Sequence, residues 1–344
     1  ASESRENGNR GPVRPLRKLQ PFSRAKSAEN LGRIRHRESW PLLVNALSDR
    51  SGEVRAVALR SLGALAEPRS FASLIECVRA NVNSGRPEFS ERSLRSALTG
   101  FPPEVAAELL PVLQDPNPRL RELAARILRD MLGNRGHALA PQLASCIMDQ
   151  LARDPSEEVR ALAAGLLEFV APDDQEAARR IIELTGDREW IVRLHAVRAL
   201  ASRRDPGCLA RLSALASDRH WRVREAAVHG LALCGSAGVD AALDLLLSTR
   251  DAYAAEQIAE ELKASGALAG LAARSGEPGH ERDAEALKKL MRIGAAGAAQ
   301  AVSGDGAGRE KVFAEAPKRL AAIAGASAAS PPSLQKESPR SETP

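Results

Sequence analysis

An Asp, an aliphatic residue five positions later and an Arg at the sixth recur five times along the chain. The copies are Asp49, Val54, Arg55; Asp115, Leu120, Arg121; Asp154, Val159, Arg160; Asp187, Val192, Arg193; and Asp218, Val223, Arg224. Each copy adds an Ala at the ninth position after the Asp (Ala58, Ala124, Ala163, Ala196, Ala227) and a Leu at the thirteenth (Leu62, Leu128, Leu167, Leu200, Leu231). Five copies in phase make an internal repeat, and repeats of this length stack into solenoids. Successive Asp residues stand 66, 39, 33 and 31 positions apart, so the first interval holds two units. Its hidden member is a degraded copy around Gly85, with Leu94 and Leu98 at the ninth and thirteenth places and an expanded turn of Asn83, Ser84, Gly85 and Pro87. Further copies start at Thr249, with Ile258 and Leu262, and near Glu277, with Ala286 and Leu290, which makes about eight units.

Positions five, nine and thirteen are spaced i, i+4, i+8 and fall on one face of a helix. A second apolar helical run precedes each stripe, as in Leu143, Ile147, Leu151 or Leu209, Leu212, Leu215. The Asp is expected to open the second helix of each pair as its N-cap, with Pro116 and Pro155 in a first turn that lacks a backbone donor at no cost. One pair of about 30 residues buries too little apolar surface to stand alone, so neighbours must stack. The small Ala at the ninth position lets them approach. The ten repeated charges (Asp49, Arg55, Asp115, Arg121, Asp154, Arg160, Asp187, Arg193, Asp218, Arg224) are expected to form a structural ladder, each Asp accepting charge-assisted hydrogen bonds from an Arg of its own or the adjacent unit.

The run Asp218-Arg-His-Trp-Arg-Val-Arg224-Glu-Ala-Ala227-Val-His-Gly-Leu231 resembles HEAT repeats, particularly the short bacterial type also found in phycobilin lyase subunits. The resemblance covers residues 39 to 264 well and 266 to 325 poorly. It implies an all-α, right-handed solenoid of about eight helix pairs. It leaves function open, because the family includes scaffolds, transport receptors, chromophore lyases and DNA-repair glycosylases.

A continuous array over 344 residues makes one elongated repeat domain a better reading than two or three globular ones. Aromatic residues are only 3% of the chain, as thin two-helix layers without a deep core require. Cys77, Cys146, Cys208 and Cys234 form no C-x-x-C pair and are expected to be small buried hydrophobes in a reducing compartment. The six histidines (His36, His137, His195, His220, His229, His280) fall in unrelated registers without zinc spacing, and no Gly-rich phosphate loop follows a strand. The expectation is a non-enzyme with no catalytic residues, no metal and no cofactor. A DNA-glycosylase reading lacks the basic face and the aromatic set that an extruded nucleotide needs, since the chain has only Trp40, Trp190 and Trp221. For a bilin-lyase reading, no residue marks a tetrapyrrole surface.

Charge divides the chain. Residues 1–37 hold ten Lys or Arg against three Glu, or +7, while the whole chain is +5, so the remainder sums to −2. Residues 1–37 are expected to be a disordered basic leader or juxtamembrane segment, 38–264 the repeat array, 265–325 degenerate repeats or a cap, and 326–344 a disordered tail. Three readings of the leader stand side by side: the cytoplasmic flank of a membrane anchor upstream of Ala1, a direct binder of anionic lipid or nucleic acid, or an inert solubilising tail. No run approaches 18 apolar residues.

The repeat frame makes its exceptions visible. At the third position after the Asp, two adjacent copies carry Trp190 and Trp221, and one position after the Asp or its equivalent stand Arg188, Arg219 and Arg250. With His220, Arg222 and Tyr253 these should form an aromatic and basic edge at the starts of the second helices, of residue types enriched at interface hot spots. The alternative is that each Trp only covers its own helix start. The eleventh position gives a second row, Arg60, Arg126, Arg198 and His229, expected on the concave face with nearby Glu residues able to neutralise it. The expected function is a cytoplasmic protein-binding scaffold, held at the inner face of a membrane, with a protein partner and no small-molecule substrate. The runner-up is a nucleic-acid or anionic-lipid binder acting through the leader, and a lyase-like or DNA-repair enzyme comes third.

Overall fold

The computed structural model describes residues 20–267 apart from 86, 134–137, 204–205 and 250–251, together with the isolated positions 281, 285 and 288. The described residues contain helices and no strand, and the chain divides into two compact units, 1–171 and 172–344.

In the first unit a single helix, α1 (Pro21–Arg33), precedes four helix pairs: α2 (Trp40–Ala46) with α3 (Gly52–Leu65), α4 (Phe71–Asn83) with α5 (Glu91–Thr99), α6 (Leu110–Leu113) with α7 (Pro118–Gly133), and α8 (Pro141–Asp149) with α9 (Glu157–Leu166). A 3-10 segment, Pro103–Leu109, lengthens the short α6 at its start. Helices α1, α3, α5, α7 and α9 pack successively against one another. The second unit holds three pairs: α10 (Gln175–Leu184) with α11 (Trp190–Ser202), α12 (Leu209–Leu215) with α13 (Trp221–Leu233), and α14 (Gly235–Ser248) with α15 (Ala252–Ala264). There α11, α13 and α15 form the row of second helices. The copy near Glu277 and the segments 265–325 and 326–344 lie almost wholly outside the described residues.

The repeat stripe is the core. In all five copies the fifth, ninth and thirteenth residues are 0 or 1% exposed, from Val54, Ala58 and Leu62 to Val223, Ala227 and Leu231. Leu94 and Leu98 of the degraded copy, and Ile258 and Leu262 of the last described one, are buried in the same places. Sequence periodicity therefore dictates which face of each helix leaves water, and stacking rather than helix propensity supplies the stability.

Two expectations need correction. The first is the extent of the unstructured leader: 21–33 is helix α1, packed on α3. Its buried face is made of Ala25, Ala28 and Gly32, small residues that carry no apolar signature, plus the buried Arg24. Gly32 approaches α3 so closely that a Cβ there would lie 2.7 Å from that of Ser61. The second is the capping role. The Asp does not cap the helix itself; it stands three residues before the first helical position and closes a side-chain turn instead. In each copy its Oδ1 accepts the backbone N–H two residues on: Ser51 at 2.8 Å, Asn117 at 2.9 Å, Ser156 at 2.9 Å, Glu189 at 2.9 Å and His220 at 2.8 Å. Pro116 and Pro155 accordingly precede the helix, and it is Pro118 that takes a first-turn place.

Candidate functional site

The ladder positions everything near the second-helix starts. Nη1 of each repeated Arg donates to the carbonyl of its own Asp, at 2.7 Å for Arg55, 2.8 Å for Arg121, 2.9 Å for Arg160 and Arg193, and 3.1 Å for Arg224. In the rungs at Arg121 and Arg193 the other two nitrogens, Nε and Nη2, grip both carboxylate oxygens of the Asp in the following repeat. The distances are 2.7 and 2.9 Å for Arg121 on Asp154, and 2.7 and 2.8 Å for Arg193 on Asp218. Arg24 of α1 does the same to Asp49 at 2.9 and 2.8 Å, so α1 supplies an upstream rung. The signal for it was available: Arg24 precedes Asp49 by 25 residues, as Arg193 precedes Asp218.

Both carboxylates titrate below the ordinary Asp range. For Asp49 the hydrogen bond from Arg24 is the main cause and outweighs burial. For Asp218 burial pushes upward most strongly, but the bonds from Arg193 and the His220 N–H and the charges of Arg193 and Arg219 together outweigh it.

On this base stands the aromatic edge of the second unit. Trp190 and Trp221 are the first residues of α11 and α13, and side chains there lean back beyond the helix start. Between the two indoles lies His220, its ring stacked on Trp190 with centroids 4.0 Å apart and planes 9° apart, and 6.3 Å from Trp221 at 18°. The Arg222 guanidinium sits 5.2 Å from the Trp221 ring and 5.8 Å from the Trp190 ring, within cation–π range of both. His220 is held from two sides: its N–H bonds Asp218, and its Nδ1 accepts the Arg222 N–H at 3.3 Å. Arg219 donates to the carbonyl of Arg188, which also takes Nη1 of Arg193 at 3.0 Å, and Gln257 of α15 donates to the Trp221 carbonyl at 2.9 Å. Trp190 is half-buried, while Trp221 is 51% exposed and Arg188, Arg219 and Arg222 are exposed. Glu189 is the acidic neighbour, 3.5 Å from Arg188. Arg250 and the side chain of Tyr253 lie outside the described residues.

The second expected row divides. Arg60, Arg198 and His229 are exposed, but Arg126 is bound by Glu122 at 2.5 Å, and His229 Nδ1 lies 2.5 Å from Glu261. Two of its four members thus already have a carboxylate partner. Cys146 and Cys208 are buried, and burial of Cys77, aided by the nearby Glu88 charge, pushes its thiol up to about 11. Among the described residues no cluster of three or more His, Cys, Asp or Glu is arranged to hold a metal. Sequence reasoning placed Trp190, His220, Trp221 and Arg222 together. It missed Arg24 and Gln257, the latter because a backbone carbonyl contact leaves no pattern in the chain.

The arrangement is that of a two-layer helical-repeat array with an aromatic and cationic lip, and the comparisons agree with the fold. The HEAT repeats family pattern matches residues 17–95, 144–232 and 177–263, more than half of the chain, and the chain belongs to that family. A search of curated protein sequences found no match. Among solved structures, a multiply substituted variant of the karyopherin Kap121p is 16% identical with a TM-score of 0.51, covering 93% of this chain and 38% of that one. Kap121p bound to the extreme C-terminus of the protein phosphatase Cdc14p is 14% identical with a TM-score of 0.50, covering 80% and 37%. An engineered protein is 16% identical with a TM-score of 0.42, covering 90% and 99%. The chain thus spans under two fifths of the karyopherin's length, and its likeness to the karyopherin concerns the fold alone.

Proposed function

We propose that the protein is a non-catalytic scaffold that engages a protein partner at the edge formed by Trp190, His220, Trp221 and Arg222, flanked by Arg188 and Arg219. The observation that carries this reading is a half-exposed Trp221 placed beside an exposed Arg222 on a base fixed by the buried Arg193–Asp218 ion pair. Trp and Arg concentrate binding energy when a partner dehydrates them, and a preordered edge loses little entropy on binding. A HEAT solenoid is a fold consistent with such a role.

The test is crosslinking capture of partners by the wild-type chain and by the pair variant W221A/R222A. The reading predicts that a partner recovered by the first is lost by the second while the thermal midpoint stays within a few degrees. A partner set unaffected by the double change sinks the edge as the site.

A second reading draws on the charge of residues 1–37 and makes the chain a binder of anionic lipid or nucleic acid. Part of that charge is occupied, since Arg24 is buried against Asp49. Binding that falls steeply with salt and disappears on removal of residues 1–19 favours this second reading. Attachment at the inner face of a membrane rests on the same segment; among the described residues no helix is long and apolar enough to cross a bilayer.

A further inference from the structure

The ladder has an open rung in the first unit. At Arg24, Arg121 and Arg193, Nε and Nη2 hold the two oxygens of the next repeat's Asp. Arg55 makes its own-repeat bond to the Asp49 carbonyl at 2.7 Å, but the following repeat is the degraded one and has no Asp to offer. Its Nε is buried without a hydrogen-bond partner, and among the described residues Nη2 donates to none. The nearest substitute is Glu88, whose Oε2 lies 3.0 Å from Nε but off the N–H direction, and whose side chain is 52% exposed. The residue after Glu88 is held in place: Asn81 accepts the Phe89 N–H at 2.8 Å and donates to the Phe89 carbonyl at 3.0 Å. Beside the guanidinium lies a cavity of about 560 Å³, whose walls combine Val44, Leu47, Ala80 and Phe89 with the carboxylates of Asp49, Glu76 and Glu88.

We propose that Arg55 is a receptor for an external carboxylate, which enters this cavity, displaces Glu88 and completes the rung bidentately. The forked geometry of a guanidinium matches a carboxylate, and the side chain is only 20% exposed, so the pair forms where water competes poorly. The exchange leaves the local charge unchanged, because Glu88 turns out to solvent as the ligand enters and Asp49 is already held by Arg24. The apolar part of the wall, Val44, Leu47, Ala80 and Phe89, favours a carboxylate that carries an aliphatic group on the adjacent carbon. A free polypeptide C-terminus ending in an aliphatic residue and an N-acyl aliphatic amino acid share that chemistry. Among the described residues Arg224 has the same buried, unbonded Nε.

Calorimetric titration of the full chain with N-acetyl-leucine, and with a short peptide ending in Leu as free acid and as amide, tests the proposal. The free acids should bind and the amide should not. Binding of the peptide acid alone identifies a polypeptide end as the source, and equal binding of both acids identifies the small acid. Arg55→Lys, which keeps the charge but loses the fork, should weaken binding at least tenfold, and Glu88→Ala should strengthen it several-fold by removing the competitor. Thermal midpoints of both variants confirm that they fold. Equal binding of acid and amide, no binding of either acid, or affinities unmoved by both substitutions would overturn the assignment.

Discussion

Arg193 holds Asp218 through two hydrogen bonds of 2.7 and 2.8 Å while its third nitrogen bonds the carbonyls of Asp187 and Arg188. One side chain thereby fixes two successive turns, and those are the turns from which Trp190 and His220 project. The backbone N–H of His220 ends on the same Asp218 carboxylate. Ladder and edge are one construction: the residues repeated in every copy fix the place of the residues peculiar to two.

Removal of one partner from this pair should be costly. Both side chains are below 10% exposed, so Asp218→Ala strands a buried guanidinium and is expected to destabilise the protein by about 3–5 kcal/mol. The paired change R193M/D218L should lie much closer to wild type, because no charge is left uncompensated. Denaturant unfolding of the three chains checks this. A double variant as unstable as Asp218→Ala would mean that the pair contributes more than mutual neutralisation.

Stability should fall in acid through the same carboxylates. Asp49, Asp218 and Glu67 all titrate below their ordinary range in the folded chain, Glu67 chiefly through its hydrogen bond from Arg69. With the folded value depressed, the unfolded chain binds more protons between the two values, so stability rises with pH across that window. The contribution is complete above the unfolded carboxylate values of about 4 and is lost as pH falls through the folded ones. Thermal midpoints measured across the acid range should show a shallower decline for D49N/D218N than for wild type. Identical slopes would remove these groups as the cause.

Helix spacing gives a third expectation. A Cβ on Gly63 would lie 2.7 Å from the Cα of Ala97 and 2.8 Å from its carbonyl oxygen, so α3 and α5 meet backbone to backbone. Backbone cannot swing aside as a side chain can. Gly63→Ala should therefore cost about 1–3 kcal/mol despite its favourable helix propensity, whereas Gly52→Ala, with only the end of Arg55 at 3.6 Å, should be nearly neutral. Denaturation midpoints of the two variants separate packing from propensity. Equal midpoints would show that the two helices separate freely.

What could be seen in the chain beforehand follows from what repeats. Val192, Ala196 and Leu200 announce a buried helix face because periodicity and burial are the same constraint. The pairing of Trp190 with Trp221 was visible because equal register puts residues side by side. Arg24 and α1 were hidden for the opposite reason: the buried face of that helix is Ala and Gly, and its charges resemble those of a polar leader. The Asp was assigned a cap because Asp commonly caps helices; its actual bond falls on the residue two positions on, a geometry that the spacing leaves unspecified. The open rung at Arg55 depends on the placing of Phe89 beside it, which the Asn81 side chain fixes through two backbone contacts and no letter pattern records.

The edge itself should separate binding from stability. Trp221 is half exposed and contributes its surface mainly outward, so Trp221→Ala is expected to cost under about 1 kcal/mol of folding stability. Trp190 is half-buried and stacked on His220, so Trp190→Ala should cost more, about 2 kcal/mol, through lost packing and the lost ring contact. If partner engagement uses the edge, the order reverses for affinity: the exposed Trp221 contributes the larger part, since truncation there removes surface that only a partner can bury. Unfolding curves and partner affinities for both single variants therefore give two opposite rankings. Parallel rankings, with Trp190→Ala worse in both, would mean that the affinity loss reports a loosened helix start, leaving the edge a packing feature of α11 and α13.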